Sequence, residues 1–132
     1  MRLGARGLAP LLLVAVTASA VPACRTAKLY NGPPVQFRAS SPDQVEQAIM
    51  EAMRVQKWIA VKERPGLIRG TLNIRRHTAI VRVEYTASSY QIIYVDSSKL
   101  QYERDDDGSE VIHKNYNSWI FNLMREINAR LP

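Results

Sequence analysis

The chain has 132 residues, 46% of them hydrophobic and 23% charged. That length suits one packed domain and not two, and the composition is globular rather than disordered. The formal net charge is +6, and the single cysteine, Cys24, excludes a disulfide within the chain.

Residues 1–23 read as an export signal. Arg2 and Arg6 give a short positive start, followed by an apolar stretch through Leu11, Leu12, Leu13, Val14, Ala15 and Val16. The stretch is too short for a permanent membrane span, which needs about 20 residues, and its flanks fit a cleaved segment. Two cleavage points match the residues. Ala18-Ser19-Ala20 fits the A-x-A pattern, whereas Val21-Pro22-Ala23-Cys24 resembles the bacterial lipobox, with Pro22 where a small or β-branched residue is usual. Chemistry favours cleavage before Cys24. A lone exported thiol has no partner in its own chain, and acylation both uses it and holds the protein on a membrane.

Removing the signal takes two arginines and no acid, which lowers the net charge from +6 to +4. A mildly basic exported domain suits anionic lipid head groups, and export argues against nucleic acid as a partner. Arg25 stands where an aspartate would hold many lipoproteins at the inner membrane. The expected address is therefore the outer membrane, with the domain facing the periplasm.

Residues 24–40, with Asn31-Gly32-Pro33-Pro34, show no sustained period and are expected to form a lipidated N-terminus and tether. Val35 and Phe37 alternate with polar neighbours as in a short edge strand. The domain is expected over 41–132. Ser41, Pro42 and Gln44 form a helix start with a capping-box pattern, and Val45, Ala48, Ile49, Ala52 and Met53 give one apolar face. Four strands follow, over 58–63, 67–75, 78–85 and 90–95. In the second, Ile68, Gly70, Leu72 and Ile74 alternate with Arg69, Thr71, Asn73 and Arg75; in the third, Ala79, Val81, Val83 and Tyr85 share a side. Such alternation marks an antiparallel sheet with one covered face. Val111-Ile112 fits either a strand or an extension of the last helix, which spans about His113 to Arg130 with Tyr116, Trp119, Ile120, Leu123, Ile127 and Leu131 as its stripe. The order α-β-β-β-β-α implies an α+β fold, a four-stranded antiparallel meander with both helices packed on one face.

Few residues suggest a site. Arg69, Arg75 and Arg82, with Arg76 and His77 at the adjoining turn, would give the open sheet face an anion-binding character, since guanidinium forks suit phosphate and carboxylate; exposed strands also carry charge simply to avoid aggregation. Asp96, Ser97, His113 and Asn117 form a candidate polar cluster, either fixing the last helix on the sheet or lining a small pocket. Ser97, His113 and Asp96 are the residue types of a nucleophilic site, but no G-x-S-x-G elbow surrounds the serine. His77 and His113 lie far apart in sequence, and Asp105–Asp107 lacks EF-hand spacing, so neither a metal nor another cofactor is expected.

Ile112-His113-Lys114-Asn115-Tyr116-Asn117-Ser118-Trp119, with Tyr94-Val95-Asp96-Ser97 before it, resembles a group of small, uncharacterised bacterial lipoproteins. These share a Cys-terminated signal, a proline-containing tether and a late IHxxYNxW stretch. The resemblance implies an envelope address and no particular activity. The expected function is a non-enzymatic, membrane-tethered interaction domain for an envelope protein or an anionic glycolipid. The alternative is a periplasmic binder of a small ligand, with its pocket near Asp96, His113 and Asn117.

Overall fold

A computed structural model describes residues 25–132, together with Gly4, Gly7, Pro10, Val14 and Ala15. The expected cleavage points and Cys24 lie outside the described residues. Among the described residues, two helices, α1 (Pro42–Val55) and α2 (Lys114–Asn128), accompany eight strands. These are β1 (Thr26–Lys28), β2 (Val35–Gln36), β3 (Trp58–Arg64), β4 (Leu67–Ile74), β5 (His77–Tyr85), β6 (Ser89–Ser98), β7 (Glu103–Arg104) and β8 (Glu110–His113).

The class is α+β, but the sheet is larger than a four-stranded meander. Strands β3 to β6 form that meander, and β2 joins β6 as a fifth strand, giving the order β2-β6-β5-β4-β3. A second antiparallel sheet has the order β1-β8-β7. Its strands are two to four residues long, too short to establish a period in sequence.

The segment expected as a tether is part of the fold. β1 pairs with β8 through Thr26↔His113, Ala27↔Ile112 and Lys28↔Val111, and Leu29 is buried in the core. The reason is backbone satisfaction. Without β1, one side of β8 would carry unpaired N–H and C=O groups beside the core. Thr26–Lys28 thus pack with the residues expected to form the domain from Ser41 onward.

The helices form where the pattern places them. Ser41 Oγ accepts from Gln44 N–H at 3.2 Å, and Gln44 Oε1 accepts from Ser41 N–H at 3.5 Å, a reciprocal capping box. Val45, Ala48, Ile49, Ala52 and Met53 of α1 are buried, as are Tyr116, Ile120, Leu123 and Ile127 of α2. Both stripes meet Ile68, Leu72, Val81, Val83, Tyr90 and Ile92 in one cluster. Burying each such side chain stabilises the fold by about 1.5–3 kcal/mol, so the covered sheet face dominates the energetics.

Polar contacts fix the helices on that face. Lys62 Nζ lies 2.8 Å from Glu46, and Tyr85 OH donates to the same carboxylate at 2.7 Å, joining α1 to β3 and β5. These two bonds hold the Glu46 carboxyl below its usual range. Tyr90 OH donates to Asn128 Oδ1 at 2.6 Å, joining β6 to the last turn of α2, and burial pushes this hydroxyl up to about 12.

Gly70 sets how closely α1 approaches. A Cβ there would meet Met53 Cε at 2.7 Å, Val81 Cγ2 at 3.2 Å and Trp58 Cε3 at 3.3 Å. Gly70→Val is therefore expected to destabilise the domain by about 1–3 kcal/mol through overpacking. Gly70→Ala costs less, because the methionine tip can swing aside. Urea unfolding of both variants checks this; a valine variant as stable as the parent contradicts the packing.

Candidate functional site

The four arginines expected to form one patch fall into two pairs. Arg69 and Arg82 stand directly opposite one another on the uncovered face of the five-stranded sheet. Like charges in that relation repel, and each has its own carboxylate: Glu63 lies 3.5 Å from Arg69, and Glu84 lies 3.1 Å from Arg82. Such exposed pairs contribute about 0–1 kcal/mol, but they neutralise the local field. Apolar side chains surround them. Val61 pairs with Arg69, Ile93 with Arg82, and Ile59 lies further along β3. Ile59 is 60% exposed and Val61 55%.

Arg75 and Arg76 occupy the two-residue turn between β4 and β5. Arg75, expected on the sheet face, has a left-handed backbone with φ 56°. It lies about 20 Å along the strand from Arg69 at the usual rise. Neither turn arginine has an ion pair with a described carboxylate.

Asp96, Ser97, His113 and Asn117 do not converge. Asp96 Oδ1 accepts from the Ser97 N–H at 2.8 Å, and Ser97 Oγ lies 2.8 Å from Tyr94 OH. Tyr94 stacks on Tyr102 at 4.7 Å and meets Tyr116 edge-on at 5.6 Å. The Tyr116 hydroxyl is buried with no partner among the described residues, and burial pushes it above the usual tyrosine range.

Asn117 does different work. Its Nδ2 donates to Lys28 C=O at 2.9 Å, and its Oδ1 accepts from Tyr30 N–H at 3.0 Å. One amide thereby clasps the N-terminal segment to α2 from both sides of Leu29. The backbone agrees: Lys114 N–H donates to Arg25 C=O at 2.9 Å.

His113 is the N-cap of α2, and its Nδ1 accepts from Asn115 N–H at 3.2 Å. That bond requires Nδ1 to be unprotonated. The His77 ring lies 6.1 Å away, with its Nδ1 2.7 Å from Lys99 C=O and its other side 6.4 Å from Trp119. A carbonyl only accepts, so His77 Nδ1 carries the proton. Burial, and then the charges of His77, Arg25 and Lys114, hold His113 below its ordinary value.

A cleft of about 1120 Å³ lies elsewhere, beside α1 and β3. Gln47, Met50, Trp58, Ala60, Leu131 and Pro132 line it, and the Glu51–Arg54 ion pair, 2.6 Å long, is at its rim. It borders β3, which among the described residues pairs only with β4. The sequence marks β3 as a strand but not as an edge, since edge position depends on topology rather than on local residues. Among the described residues, no three His, Cys, Asp or Glu gather as a metal site, and no helix is long and apolar enough to cross a membrane.

Comparison with protein-family models, with curated proteins and with solved structures gives no match.

Two substitutions test this geometry. His113 has a lower pKa folded than unfolded, so the unfolded chain protonates first as pH falls. Its contribution is complete above the ordinary value of about 6.5 and is lost as pH drops through the folded value. His113→Asn retains an N-cap acceptor and is expected to flatten this part of the stability profile. A stability difference between parent and variant that stays constant from about pH 7.5 to 5 contradicts the assignment. Asn117→Ala leaves Lys28 C=O and Tyr30 N–H without their partner, at a cost of about 1–3 kcal/mol. Hydrogen exchange across Thr26–Tyr30 is expected to speed up more than exchange in β4 and β5, and uniform acceleration would contradict a local clasp.

Proposed function

We propose that the chain is a lipid-anchored envelope protein, held at a membrane through Cys24, whose domain works by binding another envelope protein and not by catalysis. The observation that carries this reading is the edge of β3. A strand at a sheet edge offers a row of unpaired N–H and C=O groups, to which an added strand can bind. Here that edge has exposed apolar side chains beside it, Ile59 and Val61 on the open face, and Ala60 next to the buried Trp58 where the cleft begins. An added protein strand would pair the backbone and cover Ile59 and Val61.

Glycolipid is the weaker partner for this surface. It has no repeating backbone to match the edge, and Glu63 and Glu84 offset the arginines that would draw a polyanion. Catalysis lacks an assembled set of groups. Ser97 Oγ neighbours a tyrosine hydroxyl, and with Nδ1 accepting from Asn115 N–H the neutral His113 ring carries its proton on Nε2, so neither nitrogen is free to take a serine's proton. A pocket built from Asp96, His113 and Asn117 has little support, because their hydrogen bonds run to separate partners. If a small ligand is bound, the cleft beside β3 is the better place for it.

The test has two parts. Metabolic labelling with an azido-fatty acid is expected to mark the parent and not Cys24→Ala; equal labelling contradicts the anchor. A photo-crosslinker at Val61 in native membranes is expected to give a discrete protein adduct that Ile59→Lys abolishes while the folded secondary structure persists. An adduct indifferent to Ile59→Lys, or none at all, contradicts the β3 interface.

A further inference from the structure

The connections at one end of the molecule are basic without exception. Lys57 joins α1 to β3, Arg75 and Arg76 join β4 to β5, and Lys99 follows β6. Arg25 and Lys114 meet there too: Arg25 C=O accepts from Lys114 N–H, His113 N–H donates to Leu100 C=O at 2.7 Å, and the His113 and His77 rings adjoin. All six bases are exposed, and none has an ion pair with a described residue. No acid occupies any of these connections; Asp96 and Glu103 are inside the flanking strands.

Backbone conformation gives a second, independent sign. Among the described residues, the left-handed positions outside glycine are Lys57, Arg75, Lys99 and Gln101, all at this end. The left-handed glycines, Gly66 and Gly108, serve the β3–β4 and β7–β8 turns at the other end. Glycine adopts this conformation freely, and long side chains do not. Where tight turns are only structural, this chain uses glycine. At the basic end it keeps Lys and Arg at a cost in stability, a pattern that belongs to working surfaces.

The chain's covalent order says what lies opposite. Cys24 immediately precedes Arg25, whose carbonyl is already fastened to α2. With consecutive Cα atoms only about 3.8 Å apart, acyl chains carried by Cys24 on the lipid-anchored reading would enter the bilayer beside this end.

We propose that the basic end formed by Arg25, Lys57, Arg75, Arg76, Lys99 and Lys114 is a docking face for the anionic phospholipid surface of the membrane that holds the protein. This rests on the lipid-anchored reading above for its placement, and on the six bases for its chemistry. Docking fixes the domain upright, with the acidic Asp105–Asp107 turn pointing away and the β3 edge accessible at the side.

The experiment is a lysine footprint of the full protein purified from membranes and set in nanodiscs of either phosphatidylcholine or phosphatidylglycerol. Lys57, Lys99 and Lys114 are expected to lose reactivity toward an amine reagent on phosphatidylglycerol only, reversibly in high salt, whereas Lys28 and Lys62 react alike on both. Equal reactivity of all five lysines on the two lipids overturns the proposal. Intact mass separates this from failure of the anchor. Protein without acyl chains refutes lipidation, and the same footprint is then read on that protein with added phosphatidylglycerol vesicles, where absent protection again overturns the docking face. A second readout uses Arg75→Gly with Lys99→Gly. The pair is expected to raise the unfolding midpoint while weakening vesicle binding of unlipidated protein by roughly 25-fold, about five-fold per base. Binding unchanged by the two substitutions overturns it.

Discussion

The clasp between the N-terminal segment and the start of α2 is the constraint on which the arrangement of this protein depends. Asn117 holds Lys28 C=O and Tyr30 N–H at once, β1 completes one side of β8, and Arg25 C=O accepts from the first residue of α2. Leu29 lies buried between the two Asn117 contacts. A segment that composition marks as a leash becomes an edge strand with its own core residue. Arg25, the first residue after Cys24 in the chain, is already fastened to α2.

That rigidity gives the ends and sides of the molecule different roles. Exposed ion pairs on the sheet face keep Arg69 and Arg82 soluble and locally neutral beside Ile59 and Val61. The bases without an ion pair among the described residues gather at the turns beside Arg25, next to the proposed lipid anchor. A surface of mixed charge and apolar cover suits a protein strand, and a surface of cations without carboxylates suits phosphate. On the proposed reading, one small domain docks to lipid at its end and offers the β3 edge at its side.

Most of the core was legible in the residues. Strict alternation in β4 and β5 gave the inward set of Ile68, Leu72, Val81 and Val83, and the three-and-four spacing gave both helix stripes. Those periods persist over seven or more residues and report burial directly. What escaped is non-local or too short for a period. The pairing of Thr26–Lys28 with residues 111–113 spans most of the chain, and a three-residue strand carries no pattern of its own. The place of Arg75 escaped for a related reason: it continues the alternation of β4 in sequence but has turned left-handed in space. Lys57 was hidden because a helix end of that kind usually announces itself with glycine. Asn117 was legible as a candidate, and its two bonds favour the scaffolding reading over a pocket.

The proposed leash-free attachment is the point to measure. In the lipidated protein the Cys24 thiol is consumed, so a spin label placed by Arg76→Cys or by Asp106→Cys reports one site alone. With a paramagnetic ion chelated at the lipid head groups of an anionic nanodisc, the clasped and docked domain should show strong relaxation of the label at 76 and little at 106. Equal relaxation at the two positions, as for a domain tumbling on a flexible tether, would contradict the account.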